Sequence, residues 1–346
     1  MINLNTQLFE QYKQSFEFIK KSTFSSFLLF FSAFASFVIA NSPFQGAMQV
    51  FLEQKIGFTL GQMQVYKPLL LWINDGLMSI FFFVIGLEFK REIVAGRLAD
   101  PKNVIMPILG AIGGMALPAL IYLAVNHNGS DDSLNGWGIP MATDIAFALG
   151  VLYLLGPKVP IQLKVFLTVL AIIDDLGAVL VVAFFYTSEI SIVNLLIGAT
   201  ILGVMFLMNK LGVRKVLPYA ILGIGGLWLA FLLSGVHATI AAVLAAFAIP
   251  SDRSINKRKY IESLDKLKGL FEKARCADQE KYLLSPEEEN IIGEIKRISS
   301  EAISPLQNLE HSMHGLVLYL VMPIFALANA GVVLGRNWVE TLMSPV

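Results

Sequence analysis

Charge is scarce in this chain: only 15% of its 346 residues are Asp, Glu, Lys or Arg, against roughly 25% in an ordinary soluble domain. That deficit excludes a soluble protein of this length, which would lack polar groups to cover its surface. The charge also has no net sign. Lys plus Arg and Asp plus Glu number 26 each, so no basic surface is available to hold nucleic acid. Cysteine is nearly absent. The one thiol, Cys276, excludes an internal disulfide, and His127, His237, His311 and His314 are too scattered for a zinc or haem cage. No cleavable leader is evident, and the first apolar run reads as a retained anchor.

What the chain has instead is apolar length. Hydrophobic residues make up 55% of it, and the few charges are bunched: residues 251–310 hold 11 Lys/Arg and 12 Asp/Glu of a total of 52. Crossing the hydrocarbon takes about 20 mainly apolar residues as a helix. Nine segments meet that description: 24–40, 69–87, 104–125, 139–155, 165–185, 190–208, 216–233, 236–249 and 315–334. The eighth is short and reads as tilted, re-entrant or locally unwound. The fold class expected is therefore an all-α polytopic membrane protein. Residues 1–250 form its membrane domain with spans one to eight. Residues 251–304 form a polar loop, and residues 305–346 a ninth span with a short outer tail.

The loops test that count, because the side rich in Lys and Arg faces the cytoplasm. Alternate loops carry 23 of the 26 basic residues, and the opposite side holds only Lys55, Lys67 and Arg336. One missed or invented helix would break the alternation. The N-terminus is thus expected in the cytoplasm, with the polar loop on the same side. In that loop Ile261, Leu264, Leu267, Leu270 and Phe271 recur at helical spacing, predicting one or two surface helices. Residues 44–64 suggest an outer hairpin or amphipathic segment.

An ionised group at the bilayer centre costs at least about 2.5–3.5 kcal/mol, so acids within spans are functional candidates. Four occur: Asp75 in LLLWINDGLMSI, Asp144 in IPMATDIAFALG, and Asp174 with Asp175 in LAIIDDLGAVL. No Lys or Arg falls inside a predicted span to neutralise them. A buried carboxylate without a partner takes up a proton unless a cation replaces it. Competition of proton and cation for one carboxylate is the elementary step of a cation/proton exchanger. Adjacent carboxylates such as Asp174 and Asp175 titrate as a coupled pair, and helix neighbours point about 100° apart. One can ligate an ion while the other meets a different helix.

Thr143 and Asp144 follow Pro140, which favours an interrupted helix. Freed carbonyls and a Thr hydroxyl are hard oxygen ligands suited to a small cation, although a capped proline kink fits the same residues. Glu88, Lys90, Arg91 and Glu92 read as interfacial anchors at a helix end. His237 reads as a hydrogen-bonded structural residue or a pH sensor. Glu310, His311 and His314 precede the ninth span, where they either sense pH or cap the helix.

The strings GIPMATDIAFALGVLYLLG, KVFLTVLAIIDDLGAVLVVAFFYT, INDGLMSIFFFVIGLEFKRE, SGVHATIAAV, LEHSMHG and MPIFALANAGV closely resemble the NhaA family of bacterial Na⁺/H⁺ antiporters. The resemblance runs from about Phe24 to Val333 and implies an inner-membrane secondary transporter, not an enzyme. It carries Na⁺ or Li⁺ against H⁺, needs no cofactor, and has the lipid bilayer as its surroundings. By the resemblance Asp174 and Asp175 are the ion-binding, proton-exchanging pair. Thr143 and Asp144 mark a discontinuous fourth helix, and Asp75 lines the ion path on the far side. Glu88, Arg91, Glu92, Glu310, His311 and His314 match a cytoplasmic pH-response cluster, with His237 a further pH-linked position. A homodimer is left open.

The family continues through three more helices, including one with an intramembrane lysine, which this chain lacks. Residues 1–346 alone are therefore expected to insert in the membrane without exchanging ions, and the alternative function is an inactive truncated paralogue or scaffold. An intramembrane aspartyl protease also uses membrane aspartates, but its G-x-G-D and Y-D contexts are absent here.

Overall fold

A computed structural model describes residues 24–60, 63–99, 101–127, 134–141, 159–185, 190–274 and 284–334. Helix α1 (Phe24–Ala40) bends by 110° into α2 (Gln45–Glu53). An antiparallel hairpin follows, β1 (Lys55–Leu60) against β2 (Met63–Pro68), with Ile56 opposite Lys67. Then come α3 (Leu69–Ala95), α4 (Pro101–Val125) and a 3₁₀ segment (Asn135–Met141). The long helices continue with α5 (Ile161–Phe185), α6 (Ile192–Lys210) and α7 (Val216–Ser234), before the short α8 (Ala238–Ala248). Polar helices α9 (Lys257–Ala274) and α10 (Pro286–Ala302) lead to α11 (Pro305–Asn329).

The chain is a polytopic membrane protein. Among the described residues, five helices are long and apolar enough to cross a membrane, or six if α1 and α2 count as one bent span. Two expected spans fall short on length, because α1 has 17 residues before its bend and α8 has 11. Most of the expected fourth span, with Thr143 and Asp144, lies outside the described residues. The hairpin suggested for residues 44–64 falls at Lys55–Pro68, so the all-α class holds for the rest of the described residues but not for this segment. Its strands alternate β-branched and aromatic residues, Ile56, Phe58 and Thr59 against Val65 and Tyr66, a pattern that suits pleated backbone.

Packing sets the relative directions of the helices. Gly86 and Lys90 on α3 lie against Val243, Ala246 and Phe247 on α8 in the same order, so these two run parallel. Helix α11 runs against α3, with Glu310 beside Arg91 at one end and Asn329 bonded to Asn74 at the other. Phe24 meets Tyr319 and Asn41 meets Val332, which makes α1 parallel to α11. Gly110 faces Leu170 and Met115 faces Gly177, so α4 and α5 are parallel. Along α6 and α7, Ser191 pairs with Ser234 and Met205 with Gly223, in antiparallel order.

Helix α8 is short but, with its lead-in, is tied to both ends of α6. Its lead-in, Leu233 and Ser234, is bonded to Asn194 and Ser191 at the start of α6. Its last carbonyl, Ala248, accepts from Asn209 at the far end of α6, 2.9 Å away. Gly235 at φ 84° stops α7 in the left-handed conformation that glycine tolerates, and extended backbone at His237 then covers distance cheaply. Small residues let neighbours close on α8 from all sides: Ala238, Ala241, Ala242, Val243, Ala245, Ala246 and Ala248 are all buried. By contrast Phe27, Phe30, Ile112 and Leu196 are exposed, an apolar belt that suits lipid rather than water.

The polar loop holds the two surface helices expected of it, packed together through Tyr260 and Ser299. Ser285 and Glu288 form a reciprocal capping box that starts α10. On α10 the Arg297 guanidinium, hydrogen-bonded at 2.5 Å, holds the Glu294 carboxyl below the usual carboxylate range.

Candidate functional site

Asp174 and Asp175 sit at the middle of α5. Asp174 is 13 positions from Ile161 and 11 from Phe185, which places it about 20 and 17 Å from the two ends at 1.5 Å per residue. It is 2% exposed, while Asp175 is half-buried. Buried Val169 and Ala171 precede it on the same helix. Two carboxylates therefore lie deep within an apolar helix, where they offer hard oxygen donors. The 3₁₀ segment that leads toward Thr143 and Asp144 packs on the end of α5, with Trp137 and Phe185 edge to face at 5.1 Å.

Asp75 stands apart, six residues into α3 and hence about 9 Å from its start. It lies in a π-helical turn, Trp72–Leu77, a geometry often found at functional sites. No Lys or Arg lies inside the predicted span, but one just outside it reaches in: Lys67 on β2 places its ammonium 3.3 Å from Asp75 Oδ2. Lys67 precedes the apolar run, so a count of charges inside the span passes over it, and the corner at Pro68 turns the hairpin back over the helix. The Asp75 carbonyl accepts a bond from Ser79 Oγ. Ser79 in turn accepts from Trp228 Nε1 at 2.8 Å, and Trp228 packs against Trp72 with ring centres 6.1 Å apart.

At the opposite end of α3 the predicted ionisable cluster does assemble. Arg91 bridges Glu92 at 3.0 Å and Glu310 of α11 at 3.1 Å. Glu92 is buried, Glu88 and Glu310 are half-buried, and His311 and His314 are exposed on the same turn pair. His311 Nδ1 lies 2.7 Å from the Gln307 carbonyl. Helix α3 reaches this cluster because it runs eight residues past the predicted end of its span, to Ala95. Ser304 caps α11, accepting from Gln307 N, with Pro305 in the first turn, so α11 starts earlier than its apolar run. His237 does not join the cluster: it stands at the residue before α8 without a side-chain capping bond, about 16 Å of helix away from the end that Lys90 touches.

Lys90 is a functional-looking contact that the sequence reading set aside as an anchor. Its ammonium donates to the Phe247 carbonyl at 2.6 Å and to the Ile249 carbonyl, the last acceptors of α8. A cation at a helix C-terminus satisfies orphan carbonyls and the helix dipole together. The signal available in sequence was position alone, a lysine one residue before Arg91.

The chain matches the model of the Na⁺/H⁺ antiporter 1 family over residues 16–346. It is 48% identical over 322 residues to the Na⁺/H⁺ antiporter NhaA of Oleidesulfovibrio alaskensis, covering 93% of this chain and 71% of the relative. It is 44% identical to the NhaA of Wolinella succinogenes over 322 residues, 92% of this chain and 70% of that one. To the NhaA 1 of Saccharophagus degradans it is 42% identical over 318 residues, 91% and 67% of the two chains.

Proposed function

This chain belongs to the Na⁺/H⁺ antiporter 1 family, and from that we propose that it is a secondary transporter exchanging Na⁺ for H⁺ across a bacterial inner membrane. The observation that carries the mechanism is the burial of Asp174 beside Asp175 at the centre of a 25-residue helix. Either carboxylate holds a proton or helps to hold a sodium ion. Sodium arrives, protons leave, and the reverse step follows on the other side. Thr143 and Asp144 supply further oxygen ligands, Li⁺ is accepted as a second small hard cation, and Asp75 is a way-station toward the outer face.

The topology we assign has nine spans with the N-terminus and residues 251–304 in the cytoplasm. The packing directions support it: α1 with α11, α3 with α8 and α4 with α5 run parallel, while α6 against α7 and α3 against α11 run antiparallel. Each relation agrees with simple alternation. The parallel run of α4 and α5 supports a further span between them. The Glu88, Arg91, Glu92, Glu310, His311 and His314 cluster gives the transporter its pH response. His237 acts separately, at the start of α8.

The test uses purified protein in liposomes with a trapped pH dye. An inward sodium gradient is expected to drive proton efflux that choline cannot replace. Proton movement indifferent to sodium would remove the exchanger reading.

A further inference from the structure

Six groups at one end of the bundle form a closed ring. Lys67 pairs with Asp75 at 3.3 Å. Ser79 donates to the Asp75 carbonyl and accepts from Trp228. Trp228 packs on Trp72, and Trp72 Nε1 donates to the Ile56 carbonyl at 2.7 Å. Ile56 is the cross-strand partner of Lys67, which closes the circuit. The ring ties the hairpin, α3 and α7 together. Leu69 N also bonds the Gln54 carbonyl at 2.9 Å, pinning the corner where β2 becomes α3.

The consequence concerns Lys67. Its backbone is held by the strand pairing and by the Trp72 bond opposite, so its ammonium leaves Asp75 only by rotation of its own side chain. The side chains are partly open, at 30% and 23% exposure, so solvent and ions reach the pair. A monovalent ammonium on a carboxylate occupies the place that a monovalent metal cation would take.

We propose that Asp75 is a second, low-affinity cation site at the outer mouth of the path, and that Lys67 is a tethered competitor for it. Sodium reaching Asp75 displaces the lysine, and the returning ammonium expels the ion outward. Lys67 is thus a positioning residue that sets release rather than central binding. The inference rests on the exchanger reading for its direction, but the site itself is testable without transport.

The experiment acylates lysines from the outer face of right-side-out vesicles with a membrane-impermeant amine reagent and quantifies the modified peptides by mass spectrometry. Sodium is compared with choline at equal ionic strength. Labelling of Lys67 is expected to rise about fivefold with sodium, the population ratio set by a partly exposed ion pair of ordinary strength. Lys55, exposed on β1, is the internal control and should not respond. In Asp75→Asn vesicles Lys67 should label strongly with either salt. Labelling unchanged by sodium, or raised equally by choline, overturns the competition. In parallel, Lys67→Gln should strengthen inhibition of exchange by outer sodium and leave the inner KM unchanged, and Lys67→Arg should behave as the parent. Sodium-dependent labelling in a protein that exchanges nothing would keep the cation site and remove the exchanger reading alone.

Discussion

Replacing Gly86 with alanine drives a methyl group into a close contact between α3 and α8. A Cβ at Gly86 would stand 2.8 Å from Ala246 Cβ, 3.2 Å from Val243 Cα and 3.3 Å from the Val243 carbonyl oxygen. Carbon atoms prefer about 3.5–4.0 Å, and none of these three atoms can rotate away. Helix α8 is buried along its whole length, so it cannot slide without disturbing α6 and α7. The helices must part by close to 1 Å, which costs about 1–3 kcal/mol as overpacking. In a protein this large that lowers the melting temperature by roughly 1–4 °C. The same separation stretches the Lys90 bonds one turn further on. Thermal unfolding in detergent, followed by size-exclusion fluorescence, reads the effect. Gly113→Ala and Gly114→Ala are the controls, because nothing lies within 4 Å of a Cβ at either position. Adding Ala246→Gly to the Gly86 variant removes the nearest clash and should recover most of the loss. A Gly86→Ala protein as stable as the Gly113→Ala control would refute the close packing of α3 and α8.

Lys90→Met keeps the apolar stem but removes the cation from the Phe247 and Ile249 carbonyls; it should lower stability by about 1.5–3 kcal/mol, the value of a charged hydrogen bond, with Lys90→Arg recovering part of it in the same thermal assay. Arg91→Gln leaves Glu92 and Glu310 without the guanidinium between them, so the pH at which exchange switches on should move, read from dye-reported exchange between pH 6 and 9, and an unmoved profile would separate the cluster from regulation. If both central aspartates release protons for each sodium bound, net charge crosses the membrane, worth about 2.3 kcal/mol per charge at 100 mV; imposed potentials of opposite sign should then change the rate in opposite directions, and indifference to potential would argue for one-for-one exchange.

The sequence revealed what depends on local contrast. Asp174 and Asp175 stand out because two carboxylates interrupt an uninterrupted apolar run, and burial at mid-helix follows directly. The Glu88 to His314 cluster needed two distant segments to meet, and only the resemblance joined them; the structure adds the reason, α3 running on to Ala95 and α11 beginning at Pro305, capped by Ser304. The Lys67 pair with Asp75 was hidden because its two ends lie on different element types, joined by a corner at Pro68 whose geometry no periodicity describes. Helix α8 was located within two residues at its start and one at its end, since Gly235 and Pro250 bound it. Its ties to both ends of α6 became visible only through Asn194 and Asn209. Lys90 escaped notice for the same reason: its partners are backbone carbonyls about 160 positions away, and carbonyls carry no sequence signature.

Asp174→Asn and Asp175→Asn, each compared with the parent in sodium-loaded proteoliposomes, test the central claim most directly. Asparagine is close in shape to aspartate but can neither release a proton nor balance a cation. Sodium-driven proton movement is predicted to vanish in both variants while the proteins insert and purify as the parent does. Parent-like exchange in both would contradict the account and remove the central carboxylates from the mechanism.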